Sequence, residues 1–389
     1  MRASGNVGKQ EVRPRGGKMF SSLMRNLALP RKANIRIRRP EVQGVGSPSV
    51  SVVIPCYNYG HYLSECVASV LDQEHVRVDV LVVDDASPDG SAEVARRLAA
   101  GDHRVHAICH QINQGHIATY NEGLAQATGD YVVLLSADDR LTPGCLARAT
   151  SLMEAHPSVG LTYGFAVDFT DSGIPPARTV ATRWIIWEGQ DWIAHCCKAG
   201  RNFIRSPEAV VRTSVLREIG GYRDDLPHSG DLEWWMRAAT VSDVGYVAGA
   251  DQAYYRFHSS NMHSSADLLT DISERFRAFG VLFAERSELL TEPSAMYNVA
   301  RRTLAREALG HAISAYASGA ADRERVDDYV EFALKVWPDA KDLGALRTLR
   351  RLRQRNVRPR RDPSLISHEA IRRLNYSVRW WRWRWVGVD

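Results

Sequence analysis

Two pairs of adjacent aspartates, Asp84-Asp85 and Asp138-Asp139, each follow a short apolar run, and a further acid, Asp231, precedes the apolar and aromatic stretch Leu232 to Met236. Neighbouring carboxylates repel one another unless a cation or a hydrogen-bonding ligand offsets the repulsion, so a metal is one reading of such a pair. Turn formation and helix capping are the other. Asp231 carries the same ambiguity: an N-cap, or an acid that opens a helix and points into a cleft while Leu232, Trp235 and Met236 anchor it.

The elements that must hold these acids show in the hydrophobic pattern. Residues 50–54 are a β-branched run, residues 62–71 have helical spacing, and residues 78–83 read as a second strand. Helix 92–100, strand 104–109, helix 117–127 and the apolar strand 131–135 follow. This alternation predicts an α/β fold with a mostly parallel sheet and helices on both faces. Ligands in such sheets bind beyond the carboxyl ends of the strands. The segments there are Pro55-Cys56-Tyr57-Asn58, Asp84 to Gly90, and Ser136-Ala137-Asp138-Asp139, which puts both acidic pairs on one rim.

The segments SVVIPCYN, VLVVDDASPDG and NQGHIATYNEGLAQATGDYVVLLSADD stand in an order and at a spacing that resemble family 2 of the glycosyltransferases, over about residues 50–263. The resemblance implies the GT-A fold and transfer of a sugar from a nucleoside-diphosphate donor, UDP-type favoured, to an acceptor hydroxyl with inversion. It implies that Pro55 and Tyr57 contact base and ribose, with the tyrosine ring as a stacking face. Asp85 is implied to accept a hydrogen bond from the base. Asp138 falls to the nucleotide, and Asp139 to Mn²⁺ or Mg²⁺ bound against the diphosphate. Ser136 stands where the first acid of the commoner D-x-D-D form is found. Asp231 aligns with the family's general base, and Tyr255-Arg256-Phe257-His258 with its Y-R-x-H segment, which makes His258 a metal ligand, a phosphate contact or a structural residue. Asn121 and Gly115 lie in the segment implied to close over the donor. Trp184, Trp187, Trp192 and Trp234 can pack on sugar rings or fill a core.

The remaining sequence bounds this reading. With 389 residues, 44% of them hydrophobic, the chain can bury a full core and carry extra segments. The organisation expected is a basic, disordered arm over 1–48, a catalytic domain over 49–265, a helical appendage over 266–345 and a Trp/Arg-rich tail over 346–389. That tail suits the headgroup layer of an anionic membrane, with nucleic acid or packing on the domain as its other readings. Six cysteines without a C-x-x-C pair suggest neither a zinc site nor a disulfide framework, and no apolar run approaches the roughly 20 residues of a bilayer span. A cytoplasmic protein, peripheral at the membrane, is expected. Its role would lie in cell-surface polysaccharide or glycolipid assembly on a sugar or lipid-linked acceptor. The rival functions are a nucleotide-sugar-binding protein without chemistry and a nucleotidyltransferase; the latter lacks the Gly-rich basic loop it would need after the first strand.

Overall fold

The computed structural model describes residues 34–40, 47–258, 261, 267–318, 323–355 and 382–388. Its first half repeats the strand-helix alternation. Strands β2 (Ser49–Cys56), β3 (Arg77–Asp84), β4 (Val105–Cys109) and β5 (Tyr131–Leu134) pair in parallel, with β2 between β3 and β5. Helices α1 (Gly60–Leu71), α2 (Ser91–Gly101) and α3 (His116–Ala125) connect them. The apolar face of α1, Leu63, Cys66, Val67 and Val70, is buried at the spacing of one helix stripe. Helix α3 sits so close to the sheet that a Cβ on Gly123 would overlap Val53 Cγ1.

The sheet continues through a part that the sequence pattern did not predict. Strand β9 (Val210–Arg212) runs antiparallel between β5 and β7 (Val159–Phe169), and β7 pairs in parallel with the long β10 (Asp243–Arg256). Because β9 is the single reversal between them, β7 and β10 point the same way as β2, β3 and β5. The carboxyl ends of all five therefore share one rim. A two-residue strand, β6 (Arg140–Leu141), pairs antiparallel with Tyr254 and Ala253 of β10 and so ties the turn after β5 to the end of β10. Helix α4 (Cys145–Ala155) covers this region.

The structure bears on three readings of the sequence. Residues 35–38 belong to no disordered arm: β1 (Ile35–Arg38) pairs with β8 (Arg183–Trp187), which pairs with β10, because the extended backbone finds an open sheet edge. Residues 1–33, including the amphipathic patch at 19–29, lie outside the described residues. Trp184, Trp187 and Trp192 are at most 2% exposed and fill the core rather than face a sugar. Of the tail, residues 382–388 pack on the sheet: the Trp383 ring meets Phe165 at 5.0 Å, and Val386 and Val388 are buried. Trp380 and Trp381 lie outside the described residues.

Helices α5 (Gly189–Ala199), α6 (Thr213–Ile219) and α7 (Gly230–Ala239) surround the second half of the sheet. The segment expected as an appendage forms α8 (Leu268–Glu285), α9 (Pro293–Ser318) and α10 (Arg323–Val336), and α11 (Gly344–Arg355) extends the helices into the first residues expected as tail. It is joined to the α/β part through buried polar contacts: Arg275 donates to the Gly200 carbonyl at 2.5 Å and pairs with Asp271 and Glu307, each at 2.8 Å. Among the described residues no helix is long and apolar enough to cross a membrane.

The close approach of α3 to the sheet yields a direct test. Gly123→Ala should lower unfolding free energy by about 1–3 kcal/mol through overpacking, read as a shift in denaturant midpoint at unchanged m-value.

Candidate functional site

The shared rim opens into a cavity of about 800 Å³ lined by every residue expected at the site: Pro55, Tyr57, Asp85, Asp138, Asp139, Asp231 and His258. Pro55 comes from the end of β2, Asp85 follows β3, the acid pair follows β5, and His258 follows β10. Asp231 comes from the first turn of α7.

The acid pair is held by Arg256. Its backbone N–H donates to Asp139 Oδ1 at 2.8 Å, and its Nε donates to the Asp138 carbonyl at 2.9 Å. The guanidinium reaches Glu65 at 3.0 Å and Asp171 at 2.5 Å, and stacks 4.0 Å over the Tyr62 ring. Burial, and then the charge of Asp138, push the Asp139 carboxyl well above the usual carboxylate range, against the pull of the Arg256 N–H. Adjacent carboxyl groups so enclosed repel one another, and a cation nearby offsets the repulsion.

His258 lies beside Asp138. Its Nε2 is 3.0 Å from Asp138 Oδ2, whereas Asp139 turns toward the backbone of Arg256. The pairing of β6 with Ala253 and Tyr254 of β10 brings the end of that strand, Arg256 and then His258, beside the acid pair. A carboxylate oxygen beside an imidazole nitrogen is a donor set that suits Mn²⁺, and Asp138 and His258 fit such an ion. Among the described residues no cluster of three or more His, Cys, Asp or Glu side chains converges as a complete metal site. A bound ion would therefore draw its other ligands from elsewhere.

Asp85 faces the cavity with most of its acceptor capacity in use. It accepts N–H bonds from Gln114 at 2.7 Å and Gly115 at 2.9 Å, and His110 Nδ1 lies at 2.8 Å. Of a carboxylate's roughly four acceptor positions, about one is left for a ligand. Burial acts to raise its pKa, but the donors of Gln114, His110 and Gly115 outweigh it and hold the group below the ordinary value. Tyr57 is 47% exposed, with a ring open to stacking.

Asp231 accepts a hydrogen bond from Ser206 Oγ at 2.8 Å. It also lines a second cavity, of about 660 Å³, with Tyr120, Arg205, Tyr255, Asp271 and Arg275 among its walls. The two cavities share this carboxylate together with Tyr120, Arg205, Tyr255 and His258. Trp234, a candidate for lining an acceptor, is instead 1% exposed and stacked 4.8 Å from Tyr222, with its Nε1 donating to the Gly220 carbonyl. Asn121 is structural in effect: it accepts from the Tyr222 N–H at 2.7 Å and donates to the Tyr222 carbonyl at 2.9 Å, clamping the turn before α7.

Several residues at the site carried no signal in the sequence. Arg205 and Ser206 lie in a stretch without motif, and Asp271, Arg275 and Glu307 come from the helices thought to stand apart. Arg256 stood within the Y-R-x-H segment, whose arginine was the available clue.

A mostly parallel sheet with connecting helices and a cavity at the carboxyl rim of its strands is an α/β fold of the GT-A class. Within that class, the sequence profile described as Glycosyl transferase family 2 matches residues 51–219, and the chain carries a domain of that family. Glycosyltransferase AglE of Haloferax volcanii is 30% identical over 201 residues, which are 51% of this chain and 63% of that relative. The chain thus spans under two thirds of that protein's length. Among solved structures, S. aureus TarS 1–349 in complex with UDP-GlcNAc superposes with a TM-score of 0.54 at 20% identity, covering 79% of this chain and 92% of that one. The mannosyltransferase PcManGT from Pyrobaculum calidifontis, in complex with GDP-Man and Mn²⁺, gives 0.50 at 17% identity, covering 84% and 94%. These two likenesses concern the fold.

His110 gives the site a pH-dependent element. Burial alone would lower its pKa, but hydrogen bonds to Asp85 and to Glu122, at 2.6 Å, raise it above the ordinary value. A raised folded-state pKa stabilises most fully below the unfolded value of about 6.5 and is lost as pH rises through the folded value. The stability gap between wild type and His110→Gln should therefore be widest on the acid side and narrow toward alkaline pH. Denaturant melts across a pH series would read it, and a gap independent of pH would remove the charge from the account.

Proposed function

We propose that this protein transfers a sugar from a nucleoside-diphosphate donor to an acceptor hydroxyl, with inversion at the anomeric carbon. The observation that carries this reading is the meeting of two cavities at Asp231. One holds the acid pair, Tyr57 and Asp85; the other approaches the same carboxylate from the side of α8 and α9. Donor in the first and acceptor in the second would place the acceptor oxygen beside a base and opposite the departing diphosphate.

In this reading Tyr57 stacks on the nucleobase, and Pro55 shapes the loop beneath base and ribose. Asp85 gives its remaining acceptor position to the base and holds residues 113–115 against the pocket. Asp231, kept in place by Ser206, removes the proton from the acceptor hydroxyl as that oxygen attacks. Asp138 and His258 would hold Mn²⁺ or Mg²⁺ with Asp139 alongside, and the ion when bound neutralises the diphosphate and the charge that develops on the leaving group. Donors named with the solved relatives, UDP-GlcNAc and GDP-Man, support a nucleotide-sugar ligand and leave the sugar open. A sugar or lipid-linked acceptor of cell-surface polysaccharide or glycolipid assembly is the class proposed. The membrane surface remains part of the proposal through the basic residues of the tail, without Trp383.

A donor screen tests the whole assignment. Purified protein with Mn²⁺ or Mg²⁺ should release nucleoside diphosphate from one of a panel of nucleotide sugars, and the product should show the opposite anomeric configuration by NMR. Asp231→Asn should lower kcat by about 10²- to 10⁴-fold while leaving donor binding within a few-fold. Full activity in that variant would remove Asp231 from the role of base. Chelation by EDTA, and His258→Ala, should each depress turnover, with added Mn²⁺ restoring activity to the chelated wild type; turnover indifferent to EDTA would set the metal assignment aside.

A further inference from the structure

Residues 201–206 run between the two cavities. Arg201, Asn202, Ile204 and Arg205 line the second cavity, and Arg205 and Ser206 line the first. Two local bonds shape the segment: the Ile204 N–H donates to Asn202 Oδ1 at 3.0 Å, and the Arg205 N–H to Glu208 Oε1 at 2.7 Å. Ser206 has φ +86°, a left-handed region that a serine occupies only when its surroundings hold it there. From that position its hydroxyl donates to Asp231.

The last described residues of the chain supply part of that hold. Trp383 Nε1 donates to the Phe203 carbonyl at 2.8 Å. The Arg205 guanidinium lies 5.3 Å from the Trp383 ring centre and 5.2 Å from that of Tyr255, while pairing with Asp168. Trp383 is itself fixed to the rigid sheet. Its ring packs on Phe165 of β7, the Tyr246 hydroxyl donates to the Arg384 carbonyl at 2.9 Å, and the Tyr163 hydroxyl donates to the Gly387 carbonyl at 2.5 Å. Val388 is fully buried beyond them.

We infer that Trp383 is a positioning residue: through its own contacts with Phe203 and Arg205 it holds the 203–206 segment so that Ser206 orients Asp231 between the two cavities. The inference rests on the reading of Asp231 as the base for its kinetic consequence, but not for the structural link. A displacement of Phe203 and Arg205 passes to Ser206, because they are its near neighbours along the chain and the segment is tied by the Asn202 and Glu208 side chains. Rates respond steeply to such shifts at a reacting group.

The experiment uses the full chain with Trp383→Ala, Trp383→Phe and, as a packing control in the same segment, Val388→Ala. Hydrogen exchange of the Ile204 and Arg205 amides should accelerate in Trp383→Ala, beyond any change in Val388→Ala, while the amides of β2 and β3 keep their protection. In transfer assays Trp383→Ala should lose about tenfold in kcat with donor KM within threefold, and Trp383→Phe, whose ring still meets Phe165 and Arg205, should recover most of the loss. Equal effects of Trp383→Ala and Val388→Ala on exchange and kcat would overturn the inference and leave only a stabilising role. Absence of transfer by the wild type would refute the functional reading instead. In that event unchanged protection of the Ile204 and Arg205 amides in Trp383→Ala would still overturn the link.

Discussion

The buried carboxyl pair Asp138-Asp139 is the constraint around which the rest of the site is arranged. Two acids adjacent in sequence and almost without solvent contact repel each other and lose hydration, and only specific partners make the arrangement tolerable. Arg256 supplies them from three directions, through its backbone N–H, its Nε and the charge of its guanidinium. The guanidinium can do so because it is planar and stacks between Tyr62 and Phe169 while donating at its edges. With one acid bonded to backbone and the other facing His258, the pair is made unequal, and its two members are suited to different tasks.

That inequality depends on long-range pairing. The two-residue strand β6 pairs with β10 and so keeps the turn that carries the acid pair next to Arg256 and His258. The sheet also brings Asp231 into place. Helix α7 is fixed by Leu232, Trp235 and Met236 in the core, by the stacked Tyr222–Trp234 pair, and by the Asn121 clamp on the preceding turn. Rigid elements thus carry the acids, and the motif-free segment 201–206 supplies the hydroxyl bonded to Asp231.

The helices after residue 267 are part of the same architecture. The described residues from Asn34 onward form one compact unit, and Arg275 joins α8 and α9 to the Gly200 carbonyl through a buried ion-pair network. A buried guanidinium is tolerable only when its donors are matched, and Asp271 and Glu307 match them. The second cavity owes its outer wall to these same residues, so the helices shape the space next to Asp231.

Local sequence was sufficient for whatever depends on neighbours along the chain. The β-branched runs and the helical stripe of α1 reported the alternating half of the sheet, because burial of one face imposes its period on the residues that form it. The placing of Pro55, Tyr57, Asp85 and the acid pair on one rim followed from parallel order alone. Periodicity could not report β7, β8 and β9, where strands buried on both faces lose their alternation and antiparallel insertions break the repeat. Nor could it show that Trp184, Trp187, Trp192 and Trp234 are core, since an indole reads alike whether it faces a ligand or packs inside. The partner of His258, the second cavity and the contact between Trp383 and the Phe203 carbonyl were decided by tertiary structure, since each joins residues more than a hundred positions apart or elements whose docking no local pattern encodes.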